Sequence, residues 1–225
     1  HCLSRGLGDV YKRQQLRRSI RKLILEEFAC ASITNKNIGG GIAELERLGL
    51  HIVSAWPLKD YDSGQANSII LNVYDDLGDQ KAWWMGQKEV TGESCLGAFQ
   101  CTNTNVQNLR GTGVGALLYD VACELTGENG VSSDRNEVSN AAWPMWKYMW
   151  KNENTYQKVG TYDWDGEQTE DYDWDDCEGT AWENYADEWQ NPSRHPLNTV
   201  YRKRDQSRPT IKCLIEKGLI EFDGD

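Results

Sequence analysis

The stretch NLRGTGVGALLYDVACEL, residues 108–125, is the segment on which the interpretation of the whole chain depends. Arg110 and three glycines stand directly before an apolar run at positions 114, 117, 118, 121, 122 and 125, a spacing that predicts a helix. A helix N-terminus has backbone amides without partners and a partial positive charge, and glycines let that backbone approach a ligand closely. The stretch therefore predicts either a phosphate-binding loop or a glycine-rich turn that leads into a core helix.

The spacing of the glycines excludes two common phosphate-binding loops. No Gly-Lys-Ser/Thr follows, so the loop is not of the Walker type. The glycines at 111, 113 and 115 give G-x-G-x-G after a polar strand, which does not fit the dinucleotide-binding fingerprint.

The segments on both sides of the loop predict helices and antiparallel strands. Upstream, we predict a helix over 16–28, a second over 42–48 after a glycine run, a hairpin of strands 67–74 and 81–90, and a third strand over 94–106. Downstream, we predict a strand over 130–135, a helix over 139–150, a strand over 198–204 and a helix over 209–219. This order predicts an α+β domain, or a three-layer α/β domain.

The loop resembles the acetyl-CoA pyrophosphate loop of the GNAT acyltransferases, whose pattern is Arg/Gln-x-x-Gly-x-Gly/Ala between an antiparallel strand and a helix. Arg110, Gly113 and Gly115 stand at the three defining positions. The later segment SNAAWPMWKYM, residues 139–149, is similar to the helix that lies near the cofactor in that family. The pattern SDR…VS…A…W is similar, more loosely, to acetyltransferase-like proteins of phages and metagenomes. The resemblance implies a mixed, mostly antiparallel twisted sheet flanked by helices.

The resemblance also implies an activity, the transfer of an acetyl group from acetyl-CoA to an amine that attacks the thioester directly. It implies no metal, and it implies that a backbone N–H of the strand before the loop polarises the carbonyl. The residues expected to bind acetyl-CoA are Arg110, Gly111, Thr112, Gly113, Val114, Gly115, Ala116 and Asn140. We expect Gly113→Asp or Gly115→Asp to abolish cofactor binding without unfolding the chain.

The catalytic positions depart from the family pattern. The strand before the loop carries no acid, and Glu93 lies just before it as a candidate base. The usual tyrosine position falls on Trp146, whose indole is not a usable acid. Tyr148 lies about 200° further around the helix, which predicts that it points elsewhere unless the register shifts. Asp134 is placed either to reach the substrate or to cap a helix or pair with Arg135.

An acidic, aromatic segment follows the predicted acyltransferase core. Residues 160–190 contain twelve acidic residues and no Lys or Arg, and the motif YDWD at 162–165 recurs at 172–175. Three interpretations stay open: a solvated hairpin, a rim that recruits a cationic amine, and a calcium loop. Such a surface would repel phosphates, so direct nucleic-acid binding is not expected.

These features divide the chain into four parts. Residues 1–15 are expected to be non-native or disordered, because HCLSRGLGDVYKRQ resembles translated sequencing-adapter read-through; a short native basic arm is the alternative. Residues 16–158 form the predicted core, 159–192 an acidic insertion, and 193–225 a strand and helix that complete the same domain.

The alternative to the enzyme interpretation is a non-catalytic GNAT-like accessory protein that engages a basic partner.

The seven cysteines are scattered and form no CxxC pair, which favours reduced thiols in a cytoplasmic protein. Cys101 and Cys123 are predicted to be core thiols. The three histidines do not cluster with the cysteines, so no zinc site is expected.

No run of about 18 apolar residues exists that could span a membrane. The sequence does not predict an oligomeric state.

Overall fold

The structure, a computed structural model, describes residues 30–59, 66–88, 97–134, 137–160, 184–185 and 195–223. Within them, the main elements are α1 (Lys36–Leu48), β1 (Leu50–Lys59), β2 (Ala66–Asp75), β3 (Gln80–Gln87), β4 (Phe99–Asn105), α2 (Val114–Thr126), β5 (Val131–Ser133), α3 (Trp143–Lys151), β6 (Tyr156–Gly160), β7 (Thr199–Lys203), α4 (Pro209–Glu216) and β8 (Ile220–Phe222). The predicted helix over 16–28, residues 1–15 and most of 159–192 lie outside the described residues.

The eight strands of the described residues form one mixed sheet in the order β6-β7-β5-β4-β3-β2-β1-β8. β4 pairs with β5, and β1 with β8, in parallel, whereas the other neighbours are antiparallel. The predicted α+β class is confirmed by this arrangement. β7 follows the acidic segment along the chain and lies between β5 and β6, so C-terminal residues share the sheet with the strands that flank the glycine loop.

Side chains alternate along the central strands, and this buries one face of the sheet beneath α2. The fully buried residues on β2 and β3 are Ile69, Leu71, Val73, Ala82 and Trp84. From α2, Leu117, Leu118, Val121 and Ala122 are equally inaccessible to solvent. Each large aliphatic side chain buried in this way stabilises the fold by about 1.5–3 kcal/mol.

Helix α1 begins earlier than its apolar spacing predicts. The predicted start at Ile42 is wrong, because the helix includes the glycine run and begins at Lys36, with Asn35 as its N-cap. Gly41 is required because α1 packs backbone against backbone there: a Cβ on Gly41 would lie 2.7 Å from the carbonyl oxygen of Gly113, whereas a Cβ on Gly39 would meet no described residue outside its own helix within 4 Å. The predicted end is confirmed at Gly49, which has a φ of 63°.

A buried charge network attaches the C-terminal elements to α2. The Lys203 ammonium lies 2.5 Å from both carboxylate oxygens of Asp120 and 3.3 Å from Glu124. Glu124 also accepts the backbone N–H groups of Thr210 and Ile211, at 3.0 and 2.9 Å, and so caps the first turn of α4. Breaking a buried pair by removing one partner typically costs about 3–5 kcal/mol, so these residues fix α4 and β7 on α2.

A disulfide joins Cys30, which precedes α1, to Cys213 in α4, with 4.9 Å between their Cα atoms. The prediction of reduced thiols is wrong for this pair, because folding brings together two residues 183 positions apart. Cys101 and Cys123 are free and buried, which confirms that they are core thiols. Cys2, Cys95 and Cys177 lie outside the described residues.

The described helices are short relative to a lipid bilayer. Spanning the hydrocarbon core takes a helix of about 20 apolar residues, and α1 and α2 have 13 residues each. In the part of the chain that the structure describes, no helix has the length and apolar character required to cross a membrane.

Candidate functional site

A cavity of about 820 Å³ opens where the parallel strands β4 and β5 separate. Their pairing runs from Phe99↔Val131 to Cys101↔Ser133, whereas β4 continues to Asn105. Crevices outside the carboxyl ends of parallel strands are common ligand sites. The cavity is lined by Asn37, Trp83, Asn103, Thr104, Asn105, Val106, Leu109, Arg110, Gly111, Gly113, Gly115, Ala116, Tyr119, Ser139, Asn140, Ala141, Ala142, Pro144, Met145 and Tyr148.

The glycine loop, residues 110–116, forms one wall of this cavity together with the first turn of α2. Gly111 and Gly113 have φ values of 77° and 91°, conformations that favour glycine. A hydrogen bond within this segment stabilises the conformation of the loop: the Thr112 hydroxyl donates to the Leu109 carbonyl oxygen at 2.6 Å. Gly115 and Ala116 line the cavity in the first turn of the helix, where backbone amides have no intrahelical acceptor. This wall can bind an anion.

Six of the eight predicted cofactor-binding residues line the cavity. They are Arg110, Gly111, Gly113, Gly115, Ala116 and Asn140. Thr112 and Val114 are not lining residues. The Thr112 hydroxyl is hydrogen-bonded to the Leu109 carbonyl oxygen, and the Val114 side chain is fully buried. Arg110 is exposed and is the only charged side chain among the described residues that line the cavity.

The structure separates the roles of two glycines that the sequence treats alike. A Cβ on Gly113 would lie 2.3 Å from the carbonyl oxygen of Asn37, so this glycine is required where α1 crosses the loop. A Cβ on Gly115 would meet only the Val106 side chain, at 3.6 Å, which is ordinary contact. The close approach at Gly113 argues against the expectation that Gly113→Asp leaves the fold undisturbed, whereas Gly115 has room for a side chain.

Strand β4 is irregular beside the cavity. Asn103 pairs with Met85 and Cys101 pairs with Gly86, so the register between the two strands skips Thr102. An extra residue of this kind bends a strand and interrupts its ladder of hydrogen bonds. Among the described residues, the pairing of β4 with β5 ends at Cys101, whereas its pairing with β3 continues to Asn105. Asn103, Thr104 and Asn105 of β4 therefore line the cavity with β3 on one side and no described β5 partner on the other.

Helix α3 presents Tyr148 to the cavity and turns Trp146 into the core. Trp146 is 1% exposed and packs edge-on against Tyr119, with ring centroids 5.2 Å apart. The prediction that Tyr148 points elsewhere is wrong. Positions 143, 146 and 149 form the buried stripe of α3, so 145 and 148 lie on the cavity side.

The Tyr148 hydroxyl is held by the segment that begins α1. It donates to the Asn35 Oδ1 atom, and Asn37 also lines the cavity beside it. Burial raises the pKa of Tyr148 above its ordinary value, so the phenol is protonated at neutral pH.

Of the two predicted carboxylates, the structure describes Asp134 alone, and Asp134 is not among the described residues that line the cavity. Asp134 follows β5, and its side chain accepts the backbone N–H of Glu137 at 3.2 Å. This contact fits the alternative that Asp134 caps a turn. Glu93 and Arg135 lie outside the described residues. The part of the chain that the structure describes contains no cluster of three or more His, Cys, Asp or Glu that could hold a metal ion.

A cluster of two hydroxyls and one thiol borders the cavity. The Tyr119 hydroxyl is 3.3 Å from the Cys101 sulfur and 3.4 Å from the Thr104 hydroxyl. Burial raises the pKa of Cys101 to about 11 and also raises the pKa of Tyr119. Both groups are therefore protonated at neutral pH, and the Cys101 thiol is a poor nucleophile there.

Sequence reasoning missed the residues that tertiary packing brings to the cavity. They include Asn37, Trp83, Asn103, Asn105, Tyr119 and Met145. The only sequence signal is the run of asparagines at the end of β4, TNTN, which is unusual in a strand interior.

One end of the acidic segment is fixed beside the cavity. The Tyr185 hydroxyl donates to the Val138 carbonyl oxygen at 2.8 Å and to Asn140 at 3.2 Å. Its ring stacks on Trp143, with centroids 4.5 Å apart. Because Asn140 lines the cavity, Tyr185 brings this part of the acidic segment to the cavity rim.

Comparison of the chain with protein-family models, curated proteins and solved structures finds no match.

Proposed function

We propose that this chain is an N-acetyltransferase that binds acetyl-CoA at the glycine loop and transfers the acetyl group to an amine. The observation that carries the proposal is the position of the loop. Its first-turn amides and Arg110 line a cavity at the point where two parallel strands separate. Amides at a helix N-terminus together with a guanidinium suit a pyrophosphate.

The proposed reaction needs few groups from the protein. The amine nitrogen attacks the thioester carbon, a backbone N–H of β4 stabilises the carbonyl oxygen, and the carbon–sulfur bond breaks. Tyr148 is the candidate acid for the departing thiolate, because it lines the cavity and its phenol is protonated at neutral pH. Asp134 and Glu93 remain candidate bases for the proton that the amine loses.

We further propose that the acceptor is a cationic small molecule or a basic peptide. Tyr185 fixes part of the acidic segment beside Asn140, and the twelve acids of residues 160–190 would attract an ammonium group. The same charge disfavours direct nucleic-acid binding. A cytoplasmic location stays a prediction, since Cys30 and Cys213 do not support the reduced-thiol argument for it.

A second candidate function is binding without catalysis, as in an accessory protein that engages a basic partner. The observation that favours it is the lining of the cavity: among the described residues it includes no His, Asp or Glu side chain that could act as a base. The two functions differ in turnover, because only an enzyme releases CoA from acetyl-CoA when an amine is added.

Thermal unfolding with acetyl-CoA tests the cofactor site. Gly115→Asp places a carboxylate beside the loop amides, whereas Gly115→Ala adds only a methyl group in ordinary contact with Val106. We expect saturating acetyl-CoA to stabilise the wild type and Gly115→Ala by about 3 kcal/mol at a hundredfold excess over Kd, and to leave Gly115→Asp unchanged. Acetyl-pantetheine, which lacks the pyrophosphate, should stabilise all three much less.

The absence of any stabilisation of the wild type at millimolar acetyl-CoA would contradict the proposed function. An equal response of Gly115→Asp and Gly115→Ala would instead show that the pyrophosphate is bound away from the loop.

A further inference from the structure

The N-cap of α1 makes a contact that capping alone does not require. Asn35 accepts the backbone N–H of Asn37 at 3.1 Å, which is the ordinary bond of an N-cap side chain. The same oxygen accepts the Tyr148 hydroxyl, from a residue 113 positions further along the chain. One side chain therefore begins a helix and holds a phenol at the cavity wall.

The backbone around Asn35 is fixed from several sides. Five residues before it, Cys30 is bonded to Cys213 in α4, and the Ile33 N–H donates to the Cys30 carbonyl oxygen at 3.1 Å. After it, α1 lies against the glycine loop, where Gly41 and Gly113 meet backbone to backbone. An acceptor held in this way can determine where the Tyr148 oxygen lies relative to the loop.

We infer that Asn35 is a positioning residue for Tyr148, an inference that rests on the proposed acetyl transfer. Asn35 holds the phenol oxygen at one place on the cavity wall while the substrate binds. The hydroxyl hydrogen turns about the carbon–oxygen bond, so the same oxygen then donates its proton to the sulfur as the carbon–sulfur bond breaks. The phenolate then regains a proton from water.

Two replacements of Asn35 separate positioning from helix capping. Ser is as good an N-cap as Asn, but its side chain is too short to keep the Tyr148 bond as well. Asp keeps both the cap and an acceptor oxygen. We expect Asn35→Ser to lower kcat about tenfold, the effect of losing one hydrogen bond in the transition state, with KM for acetyl-CoA unchanged. Asn35→Asp should restore most of the lost kcat.

A double-mutant cycle with Tyr148→Phe tests whether Asn35 acts through Tyr148. CoA release is measured with spermidine, L-lysine, glucosamine and a lysine-containing peptide as acceptors. If the inference is right, Asn35→Ser lowers kcat in the wild type and has no further effect in the Tyr148→Phe background. Equal effects in both backgrounds, or a change in KM for acetyl-CoA alone, would overturn it.

The remaining outcomes distinguish this inference from the proposed function. If acetyl-CoA fails to bind, the proposed function is wrong at the cofactor step. If acetyl-CoA binds but no acceptor releases CoA, catalysis is ruled out and the role of Asn35 in proton delivery is ruled out with it. If turnover is intact and the cycle is additive, only the role of Asn35 is wrong.

Discussion

Gly113 and Gly115 stand two residues apart in one motif and serve different purposes. Gly113 adopts a φ of 91° at the N-cap of α2 and contacts the backbone of α1. Gly115 is helical and lines the cavity. The motif thus contains one glycine that the fold requires and one that leaves space open at the cavity wall.

We expect Gly113→Ala to lower the free energy of unfolding by about 2–5 kcal/mol. A left-handed backbone disfavours any Cβ by about 1–2 kcal/mol, and forcing a methyl group into a filled space typically costs about 1–3 kcal/mol. Urea unfolding measures the change. Gly115→Ala is the matched control and should shift the free energy of unfolding by less than about 1 kcal/mol; equal effects at the two positions would contradict the close approach of α1 to the loop.

At the scale of elements, the sequence predicts those helices and strands in which apolar residues recur at the regular helical or strand spacing from one end to the other. The helix over 113–125, the hairpin and the strand before the loop were found within a few residues of their predicted bounds. The sequence does not predict the start of α1, because glycines usually disfavour a helix and the contact with Gly113 that requires Gly41 is visible only in the structure. β1, β6 and β8 were not predicted; β8 has three residues and depends on pairing with β1.

For the candidate site, the sequence predicts the glycine-loop wall of the cavity better than the opposite wall. Five of the six predicted residues that line the cavity belong to the glycine loop, and the sixth, Asn140, lies three residues before α3. Trp83, Asn103 and Tyr119 come from three separate elements, and no spacing within the sequence relates them. The sequence predicts the wrong side of α3 for Tyr148. Its angle around the helix is measured from Trp146 on the expectation that Trp146 faces the cavity, but Trp146 belongs to the buried stripe.

The disulfide is expected to stabilise the contact between the start of α1 and α4. Cys30→Ser removes it without altering the buried Cys213 position, and should lower the free energy of unfolding by about 2–4 kcal/mol. Chemical or thermal unfolding under oxidising conditions measures the loss. A reducing agent should destabilise the wild type and leave Cys30→Ser unchanged; a wild type that is insensitive to the reducing agent would be evidence that the bond does not form.

At the scale of the whole molecule, the buried phenols and the buried Lys203 make the free energy of unfolding vary with pH in the alkaline range. Burial raises the pKa of Tyr119, Tyr156 and Tyr201 well above the ordinary value. Burial alone would lower the pKa of Lys203, but Asp120 and Glu124 raise it overall. Above about pH 10 the unfolded chain loses these protons while the folded chain keeps them.

The free energy of unfolding should therefore fall as pH rises above about 10, because the folded state binds more protons than the unfolded state. Each buried phenol contributes a slope of up to about 1.4 kcal/mol per pH unit. Urea unfolding at several values between pH 8 and 11 measures this slope. Tyr201→Phe removes one such phenol, so its slope should be shallower than that of the wild type; parallel slopes would mean that the Tyr201 proton does not contribute.

The disulfide between Cys30 and Cys213 also closes most of the chain into a covalent ring. A single cut in the backbone anywhere between these two residues leaves one molecule instead of two fragments. With a protease site engineered into residues 166–170, the cleaved protein should migrate as one species on a non-reducing gel and as two after reduction. New chain ends could thus be opened in the acidic segment, between β6 and β7, while both halves remain covalently connected.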